Sequence, residues 1–285
     1  MSKLKIAIQK SGRLKNDSLA LLKSCGISID NGKDQLKASA RNFPLEVFYL
    51  RNSDIPQYVA DGVADIAILG ENTLIEKQKR VEIIQKLGFS KCRVSLAIPK
   101  GENYSDARFF NGKKIATSYP KTLQAFFNEK NIDAKIHLIT GSVEIAPNIG
   151  LADGIFDIVS TGSTLFKNGL KEVETVLNSE AVLTSTPNLP SEKQAILDKL
   201  LFRISAVLEA RNNKYILMNV PNDKIEIVAN LLPVLRSPTV LPLATEGWSS
   251  LHSVISKKNY WEVIDQLKAA GAEGILVTPI ETMIR

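Results

Sequence analysis

Short apolar segments alternate with amphipathic ones through about the first 200 residues of the chain. The apolar segments are four or five residues long and are bounded by polar residues or glycine, which is typical of buried strands. They lie at Leu4–Ile8, Leu45–Tyr49, Asp65–Leu69, Val94–Ile98, Lys114–Thr117, Lys135–Ile139 and Phe156–Val159. Segments with helical spacing separate them, as at Leu14–Cys25, so the alternation predicts parallel sheets covered by helices.

The pattern changes after about residue 210. Four strand-like segments and two segments with helical spacing follow in the order β-α-β-β-α-β, which is the ferredoxin-like arrangement. The strands are expected at Tyr215–Val220, Thr239–Leu241, Leu251–Ile255 and Gly274–Thr278, and the helices at Ile225–Leu232 and Tyr260–Leu267. The sequence therefore predicts a separate C-terminal domain, which follows a helix over Lys193–Ala210.

One short segment occurs twice in the first part of the chain. Asp61–Ile66 resembles Asp153–Ile158, and this alignment places Asp65 opposite Asp157. The two copies are either unrelated glycine-to-strand junctions or the same part of two similar α/β lobes that face each other across a cleft. In the second case the loops at Gly70–Asn72 and Thr161–Thr164 would lie at the carboxyl ends of their strands, where open α/β sheets bind ligands.

Composition narrows the class of protein. Apolar residues make up 44% and charged residues 23% of the chain, as in ordinary soluble proteins. The net charge of +6 comes from Lys and Arg scattered among acidic residues, without the dense basic stripe of a nucleic-acid-binding surface. The N-terminus lacks a signal-peptide core, and no apolar run is long enough to cross a bilayer. We therefore expect a cytoplasmic protein without a nucleic-acid or membrane partner.

The residues that commonly hold transition metals are few and far apart. Cys25 and Cys92 lack a CxxC spacing, and His137 and His252 have no neighbouring cysteine or histidine. A zinc site needs three or four such side chains close together. We expect reduced cysteines and no tightly bound transition metal.

The segment Ser160–Leu165 carries the strongest local signal. A buried strand ends here in small, hydroxyl-rich residues, and a helix is expected to begin near Leu165. Small side chains let backbone N–H groups converge on one point, hydroxyls add donors, and the helix N-terminus attracts an anion. Asp157 would accept hydrogen bonds from sugar hydroxyls beside a phosphate bound there. The alternative is that these hydroxyls only cap the helix.

A longer pattern, E-x5-G-x-A-x2-I-x-D-I-x2-T-G-x-T-L, runs from Glu144 to Leu165. With this pattern the sequence resembles the ATP phosphoribosyltransferase family, which opens histidine biosynthesis, and every signature position of that family is met. Further matches follow in order at Gln9–Arg13, Arg51, Asp54–Pro56, Gly70–Asn72 and Ala116–Pro120. The C-terminal segment resembles the regulatory domain of the longer, self-sufficient form of the family.

The resemblance implies a reaction in which N1 of ATP attacks the anomeric carbon of phosphoribosyl pyrophosphate and pyrophosphate leaves. N1 already has a lone pair, so this reaction needs no strong general base. It needs alignment of two large anions and neutralisation of the departing charge. Mg²⁺, held mainly by the phosphates of the substrates and by water rather than by protein ligands, would supply much of that neutralisation.

The resemblance also assigns site residues. Those expected to bind phosphoribosyl pyrophosphate are Glu144, Asp157, Ser160, Thr161, Gly162, Ser163, Thr164 and Leu165. Those expected to bind ATP are Lys10, Gly12, Arg13, Arg51, Glu71 and Tyr119. Asp157 and Arg13 are the expected catalytic residues. Other readings remain open, because Lys10 would also suit a solvated surface, Glu71 a helix cap and Tyr119 a half-buried core position.

The fold implied by the resemblance has two periplasmic-binding-protein-like α/β lobes around a cleft and a C-terminal ferredoxin-like regulatory domain. Residues 1–96 and 181–210 are expected in the first lobe, 97–180 in the second, and 211–285 in the regulatory domain. A strand over Ala181–Ser185 would return the chain to the first lobe.

Regulation is expected to involve histidine as a feedback inhibitor, bound between subunits of a homo-oligomer, a hexamer with dimers as the smaller unit. The matching positions are Asn219, Leu235, Thr239 and Gly274. Asn219 stands where relatives can carry Asp.

Two other classes of function remain open: a solute-binding receptor, which shares the two-lobed plan, and an inactive amino-acid sensor that uses only its C-terminal domain.

Overall fold

The computed structural model describes residues 2–30, 35–232 and 237–284. The chain divides into two compact units. The first comprises Met1–Lys23 and Ile27–Ile196, and the second Ser24–Gly26 and Leu197–Arg285. None of the helices within the described ranges is long and apolar enough to span a membrane.

The first unit contains two sheets, and the first sheet with its helices is called the first lobe below. Its strands are β1 (Leu4–Gln9), β2 (Lys37–Ser39), β3 (Leu45–Leu50), β4 (Ile66–Gly70), β5 (Glu82–Lys86) and β11 (Ala181–Ser185), and its helices are α1 (Arg13–Ser24), α2 (Ile55–Ala60) and α3 (Glu71–Lys77). The strand order is β2-β3-β1-β4-β11-β5. The strand expected over Ala181–Ser185 is present and lies in this sheet.

The second sheet with its helices is called the second lobe. Its strands are β6 (Cys92–Pro99), β7 (Lys114–Thr117), β8 (Lys135–Leu138), β9 (Gly154–Val159) and β10 (Leu170–Ser179). Its helices are α4 (Pro120–Lys130) and α5 (Ser163–Lys167), with 3-10 turns at Ala107–Phe110 and Val143–Ile145. The strand order is β10-β6-β9-β7-β8.

Only three strands of each sheet are shown as mutually parallel, so the expectation of parallel sheets is wrong for the antiparallel strands beside them. Strands β3, β1 and β4 are mutually parallel, and so are β9, β7 and β8. Strand β2 is antiparallel to β3, and β6 is antiparallel to both β9 and β10. A short connection joins β2 to β3, and such connections favour antiparallel pairing. Strand β11 enters from the other lobe and is antiparallel to β4.

Burial explains which strands the sequence pattern revealed. In β4, Ile66, Ala67, Ile68 and Leu69 are fully buried, as expected for a parallel strand covered on both faces. Strand β10, which was not predicted, has mostly half-buried residues and three charged ones, so its apolar pattern is weak. Strand β5 was missed for the same reason.

The chain crosses between the lobes twice, and the two crossings are joined by hydrogen bonds. The N–H of Leu87 donates to the carbonyl of Ala181 over 2.9 Å, and the N–H of Ala181 donates to the carbonyl of Phe89 over 3.0 Å. The N–H of Gly88 donates to the carboxylate of Glu180 over 2.8 Å. The two lobes therefore share one short double-stranded connection.

The similarity between Asp61–Ile66 and Asp153–Ile158 misaligns the two lobes. Asp65 accepts a hydrogen bond from the N–H of Lys5 and donates its own N–H to the Lys5 carbonyl. Asp153 makes the same two bonds with Lys114. The structural counterpart of Asp65 is therefore Asp153, at the start of the central strand of each lobe. Asp157 lies further along β9 and has a different environment.

The second unit contains the C-terminal domain. Helix α6 (Ser191–Arg211) begins in the first unit and ends in the second. It is followed by β12 (Asn213–Pro221), α7 (Ile225–Leu231), β13 (Thr239–Pro242), β14 (Trp248–Ser256), α8 (Tyr260–Ala269) and β15 (Glu273–Pro279). The four strands form an antiparallel sheet in the order β13-β14-β12-β15. This order confirms the ferredoxin-like prediction.

Candidate active site

The carboxyl ends of β7, β8 and β9 lie at one edge of the second lobe because these strands are parallel. Three predicted site elements follow these ends: Tyr119 after β7, Glu144 after β8, and the loop Ser160–Leu165 after β9. In open α/β sheets this edge is where ligands bind. The fold therefore brings together residues that are widely separated in the sequence.

The loop after β9 presents backbone donors to solvent. Gly162 has φ of 78°, a left-handed conformation that residues with a Cβ rarely adopt, and it precedes the first turn of α5. In the described part of the chain, the N–H groups of Thr161, Gly162, Thr164 and Leu165 have no protein acceptor. The hydroxyl of Thr161 donates to the hydroxyl of Ser163 over 3.1 Å.

The helix after this loop is short and begins earlier than expected. It starts at Ser163 rather than Leu165, and it has only five residues. A helix dipole grows with the number of aligned peptide groups, so α5 contributes little field. The anion-binding capacity of the loop depends instead on the unpaired N–H groups and the hydroxyls.

Asp157 lies beside this loop in a pocket of about 130 Å³. The pocket is lined by Glu144, Asp157, Ile158, Val159, Ser160, Thr161, Gly162, Thr164 and Leu165. Burial raises the pKa of Asp157 to about 6; the N–H of Ile158, which donates to its carboxylate, counteracts this rise, and the charge of Glu144 adds to it. A carboxylate kept in a pocket without a cation partner is typical of a functional site.

Arg93 supports the loop, although sequence reasoning did not identify it. Its guanidinium forms a bidentate ion pair with Glu172 on β10 and donates through Nη1 to the carbonyl of Ser160 over 3.2 Å. The first residue of the loop is thereby fixed to the neighbouring strand β6. An isolated Arg within a strand gives no sequence signal, because its partners come from strands that are distant in the chain.

The first lobe collects the predicted ATP-binding residues at its own carboxyl edge. Lys10, Gly12 and Arg13 follow β1, Arg51 follows β3, and Glu71 follows β4, and these three strands are parallel neighbours. The N–H of Lys10 donates to the carbonyl of Leu50 over 2.8 Å, which fixes the turn against β3.

The cationic side chains at this edge are exposed. The side chain of Arg13 is 72% exposed, and its Nε lies 3.6 Å from the carboxylate of Asp17. Lys10 and Arg51 are exposed as well. Glu71 is better held, since its carboxylate lies 3.3 Å from Nζ of Lys86, and the residue before α3 that serves as N-cap is Gly70 rather than Glu71.

Tyr119 connects the two edges. It is half-buried against the apolar core of the second lobe, and its hydroxyl accepts a hydrogen bond from Nδ2 of Asn72, the second residue of α3, over 3.3 Å. Burial raises the pKa of Tyr119 above its ordinary value, and the charge of Asp157 adds to this effect. The carboxyl edges of the two lobes therefore meet at Tyr119 and Asn72.

The predicted effector residues lie on the C-terminal sheet. Asn219 on β12 is next to Gly274 on β15. A Cβ at position 274 would lie 3.4 Å from the side-chain Nδ2 of Asn219. Thr239 on β13 pairs with His252 on β14. Leu235 lies outside the described residues. The sequence analysis considered His252 only as a possible metal ligand; its ring nitrogens lie within hydrogen-bond distance of the hydroxyls of Tyr215 and Ser250.

Comparison with known proteins covers both units. A family model described as ATP phosphoribosyltransferase matches residues 51–206, and one described as HisG, C-terminal domain, matches residues 210–282. The chain is 57% identical over 282 residues to ATP phosphoribosyltransferase of Cytophaga hutchinsonii and 56% identical over 281 residues to that of Bacteroides fragilis. Each comparison covers 99% of both chains.

A solved structure agrees with these matches. A chain of the ATP phosphoribosyl transferase (HisG:HisZ) complex from Thermotoga maritima is 30% identical to this chain, with a TM-score of 0.63. The match covers 72% of this chain and 98% of that one. Full-length relatives, two family models and a related structure agree, and this chain belongs to the ATP phosphoribosyltransferase family.

Proposed function

We propose that this chain transfers the 5-phosphoribosyl group from phosphoribosyl pyrophosphate to N1 of ATP and releases pyrophosphate, the first step of histidine biosynthesis. The observation that carries the proposal is the pocket that joins Asp157 and Glu144 to the unpaired N–H groups of the loop Ser160–Leu165. Family membership, with relatives named for this activity, supports the reaction.

The loop is proposed to hold the 5-phosphate of the sugar. Its free N–H groups and hydroxyls can make several hydrogen bonds to one phosphate, and each charge-assisted bond contributes about 1.5–3 kcal/mol. Ser160, Thr161, Ser163 and Thr164 supply the hydroxyls, and Gly162 supplies the turn that brings the donors together. Leu165 is buried beneath the loop and supports it.

Asp157 and Glu144 are proposed to bind the ribose hydroxyls. Only the ionised carboxylate of Asp157 accepts through both oxygens, and ribose hydroxyls bound to it would favour that form and lower its pKa. A negative carboxylate beside the ribose also stabilises the positive charge that develops on the sugar ring as the bond to pyrophosphate breaks. These roles require no general base, because N1 of ATP has a lone pair available.

The cations of the first lobe are proposed to bind the triphosphate of ATP or the leaving pyrophosphate. Lys10, Arg13 and Arg51 lie at one edge, and guanidinium groups suit phosphate oxygens because they bind in a bidentate manner. Glu71 is proposed to accept from the adenine or ribose of ATP. Tyr119 is proposed to lie beside the adenine, although its ring already packs in the second lobe.

Mg²⁺ is proposed as the required ion. The described residues include no cluster of three or more potential metal ligands, and the oxygen donors of Asp157 and Glu144 suit a hard cation that is held mainly by substrate phosphates. Bound in this way, Mg²⁺ would neutralise charge on the departing pyrophosphate. The chain's own residues then have to align the two substrates.

Pyrophosphate release tests the proposal. Purified protein should release pyrophosphate only when ATP, phosphoribosyl pyrophosphate and Mg²⁺ are all present. Omission of either substrate should abolish release, and the product should carry the phosphoribosyl group on N1 of the adenine. Release from phosphoribosyl pyrophosphate alone, or no release under any condition, would exclude the proposed transfer.

Feedback inhibition by histidine is proposed for the C-terminal domain, at Asn219, Leu235, Thr239 and Gly274. Replacing Asn219 with Ala removes a side chain that can hydrogen-bond an amino acid, so a higher histidine concentration should be needed for half inhibition. The uninhibited rate should not change. Wild-type sensitivity in Asn219→Ala would place the effector elsewhere.

Three further properties are proposed for the chain. Residues 1–96 and 181–210 are proposed as the ATP side, 97–180 as the phosphoribosyl side and 211–285 as the regulatory part. The protein is cytoplasmic. It assembles into hexamers built from dimers, which light scattering coupled to gel filtration would detect as six times the 31.3 kDa chain mass.

A further inference from the structure

One face of helix α3 carries two buried polar side chains. Asn72 and Glu76 are four residues apart, which places them on the same side of the helix, and they are only 3% and 6% exposed. A buried carboxylate is stable only when it is well hydrogen-bonded. The hydrogen-bond partners of Glu76 in the described residues are all neutral groups. These partners therefore have to satisfy a full negative charge.

The partners of Glu76 all belong to the second lobe. Its carboxylate accepts from the N–H groups of Lys121 and Thr122 over 3.0 and 2.9 Å, and from the hydroxyl of Thr122 over 2.7 Å. These residues form the first turn of α4, where backbone N–H groups have no partner within the helix. An anion here is also favoured by the dipole of this eleven-residue helix. Glu76 therefore caps a helix of the opposite lobe.

Asn72 makes a second set of bonds to the second lobe. Its Nδ2 donates to the hydroxyl of Tyr119 over 3.3 Å, and its Oδ1 accepts from the hydroxyl of Ser179 over 2.9 Å. Its backbone N–H also donates to the Ser179 hydroxyl over 3.0 Å. Ser179 is the last residue of β10, immediately before the chain crosses back to the first lobe. The two side chains thus hold the second lobe at two separate points.

The position of these contacts relates them to the transfer. Helix α3 begins at Glu71, at the edge that collects the proposed ATP-binding residues. Helix α4 begins directly after Tyr119, at the edge that carries the phosphate-binding loop. The two edges hold different substrates apart from Tyr119, which is proposed to lie beside the adenine, so the distance between the edges determines whether N1 of ATP can reach the anomeric carbon. Reacting atoms must approach to about 3–3.5 Å, and a misplacement of about 1 Å can lower the rate a hundredfold.

We propose that Asn72 and Glu76 are positioning residues that set the separation of the two substrate half-sites. This inference rests on the proposed function, since it assumes that ATP and phosphoribosyl pyrophosphate bind to different lobes. Neither side chain needs to touch a substrate. They affect the alignment of the two substrates, so their loss should lower kcat. Each lobe should still bind its own substrate.

The test compares Glu76→Gln with wild-type protein. The amide retains the shape of the carboxylate but replaces one acceptor oxygen by an NH₂ group, which faces the N–H of either Lys121 or Thr122 and cannot accept from it. We expect kcat to fall about tenfold to a hundredfold. The dissociation constants of ATP alone and of phosphoribosyl pyrophosphate alone, measured by calorimetry, should stay within about threefold of wild type.

Three further variants keep the test informative if Glu76→Gln folds poorly. Thr122→Val removes only the hydroxyl donor, whereas Thr122→Ser retains it, so kcat should fall in the first and be largely preserved in the second. Glu129→Gln removes an exposed carboxylate from α4 itself and should behave as wild type. Amide exchange of the first turn of α4 reports whether the contact has opened, independently of activity.

The outcomes separate the inference from the proposed function. Faster exchange in α4 together with reduced kcat and retained substrate binding supports the positioning role. Unchanged exchange, or faster exchange with unchanged kcat, overturns it. If wild-type protein itself fails to form product, the proposed function fails first, and the positioning role for this transfer fails with it.

Discussion

The proposed phosphoribosyl site of the second lobe and the proposed ATP site of the first lobe differ in how much of their geometry the protein structure itself fixes. In the second lobe, backbone N–H groups supply the donors of the proposed phosphate-binding loop, Gly162 sets its turn, and Arg93 fixes its first carbonyl. In the first lobe, the proposed phosphate ligands are long side chains, and that of Arg13 is 72% exposed. Ordering such a side chain costs up to about 2 kcal/mol of conformational entropy, whereas a backbone loop is already in place.

This difference predicts whether a substitution in each lobe should change turnover, substrate binding or both. A change in the preformed loop alters the geometry of the reacting sugar and should lower turnover as well as binding. A change in an exposed cation of the first lobe removes one of several contacts to the triphosphate of ATP or to the leaving pyrophosphate. It should weaken ATP binding in the first case and lower kcat in the second. The predictions below test that division, beginning with the largest expected effect.

Replacing Asp157 with Ala should lower kcat/KM about a thousandfold, because it removes both the ribose contact and the negative charge beside the developing positive charge. The circular dichroism spectrum should not change, since no ion pair of the described residues depends on this carboxylate. Asp133→Ala, an exposed position in the same lobe, serves as the control and should keep wild-type activity. Near-normal turnover in Asp157→Ala would contradict the proposed role.

Replacing Gly162 with Ala should raise the KM for phosphoribosyl pyrophosphate and lower kcat, with a combined loss of about 10–100-fold. The φ of 78° is strained for Ala by about 1–2 kcal/mol, so the loop would shift away from the geometry that binds phosphate. Gly112→Ala is the matched control, since Gly112 has φ of 73° and open space around it but lies outside the loop. Equal kinetic effects in the two variants would show that backbone strain alone is responsible.

Replacing Arg13 with Ala should raise the KM for ATP about tenfold. This is the lower end of the range expected for loss of one charge-assisted hydrogen bond, because the site is exposed. The KM for phosphoribosyl pyrophosphate should change little. Steady-state kinetics with each substrate varied in turn measures both. A change confined to phosphoribosyl pyrophosphate would reverse the assignment of substrates to lobes.

The raised pKa of Asp157 predicts a pH-dependent stability. Its pKa of about 6 in the folded protein lies above the ordinary value of 3.8, so the folded state binds the proton more tightly than the unfolded state. Below pH 4 Asp157 does not lower the free energy of unfolding. The loss of stability grows as pH rises to about 6 and is complete above that. Asp157→Asn should therefore be more stable than wild type at pH 7.5, by about 1–3 kcal/mol.

Thermal unfolding across this range measures that effect. The advantage of Asp157→Asn should be largest at pH 7.5 and should disappear near pH 4. An advantage that is the same at both pH values would mean that burial of the carboxylate charge is not its cause.

The sequence predicted the parts of the molecule that are locally encoded. Buried strands such as β4 carry continuous apolar residues, and the loop after β9 combines glycine with hydroxyls, so both could be read directly from the chain. The resemblance to a known family added the first-lobe residues. Strands β5 and β10 could not be predicted in this way, because their residues are mostly half-buried or exposed and several are charged, so their apolar pattern is weak.

Contacts between segments that are distant in the chain could not be predicted from the sequence. Nothing local distinguishes Asp65, which pairs with Nζ of Lys193 at 2.8 Å, from Asp157, which has no cation partner among the described residues and faces a pocket. The similarity of their flanking residues even suggested that they were equivalent. Arg93 and Glu76 were missed for the same reason, since each acts on a segment that only the fold brings near it.

A structure of the protein crystallised with phosphoribosyl pyrophosphate and Mg²⁺ tests the central claim most directly. The account predicts that the 5-phosphate lies within hydrogen-bond distance of the N–H groups of Thr161, Gly162 and Thr164, with the ribose hydroxyls on Asp157. A sugar phosphate bound to the first lobe, or anywhere away from the end of β9, would contradict it.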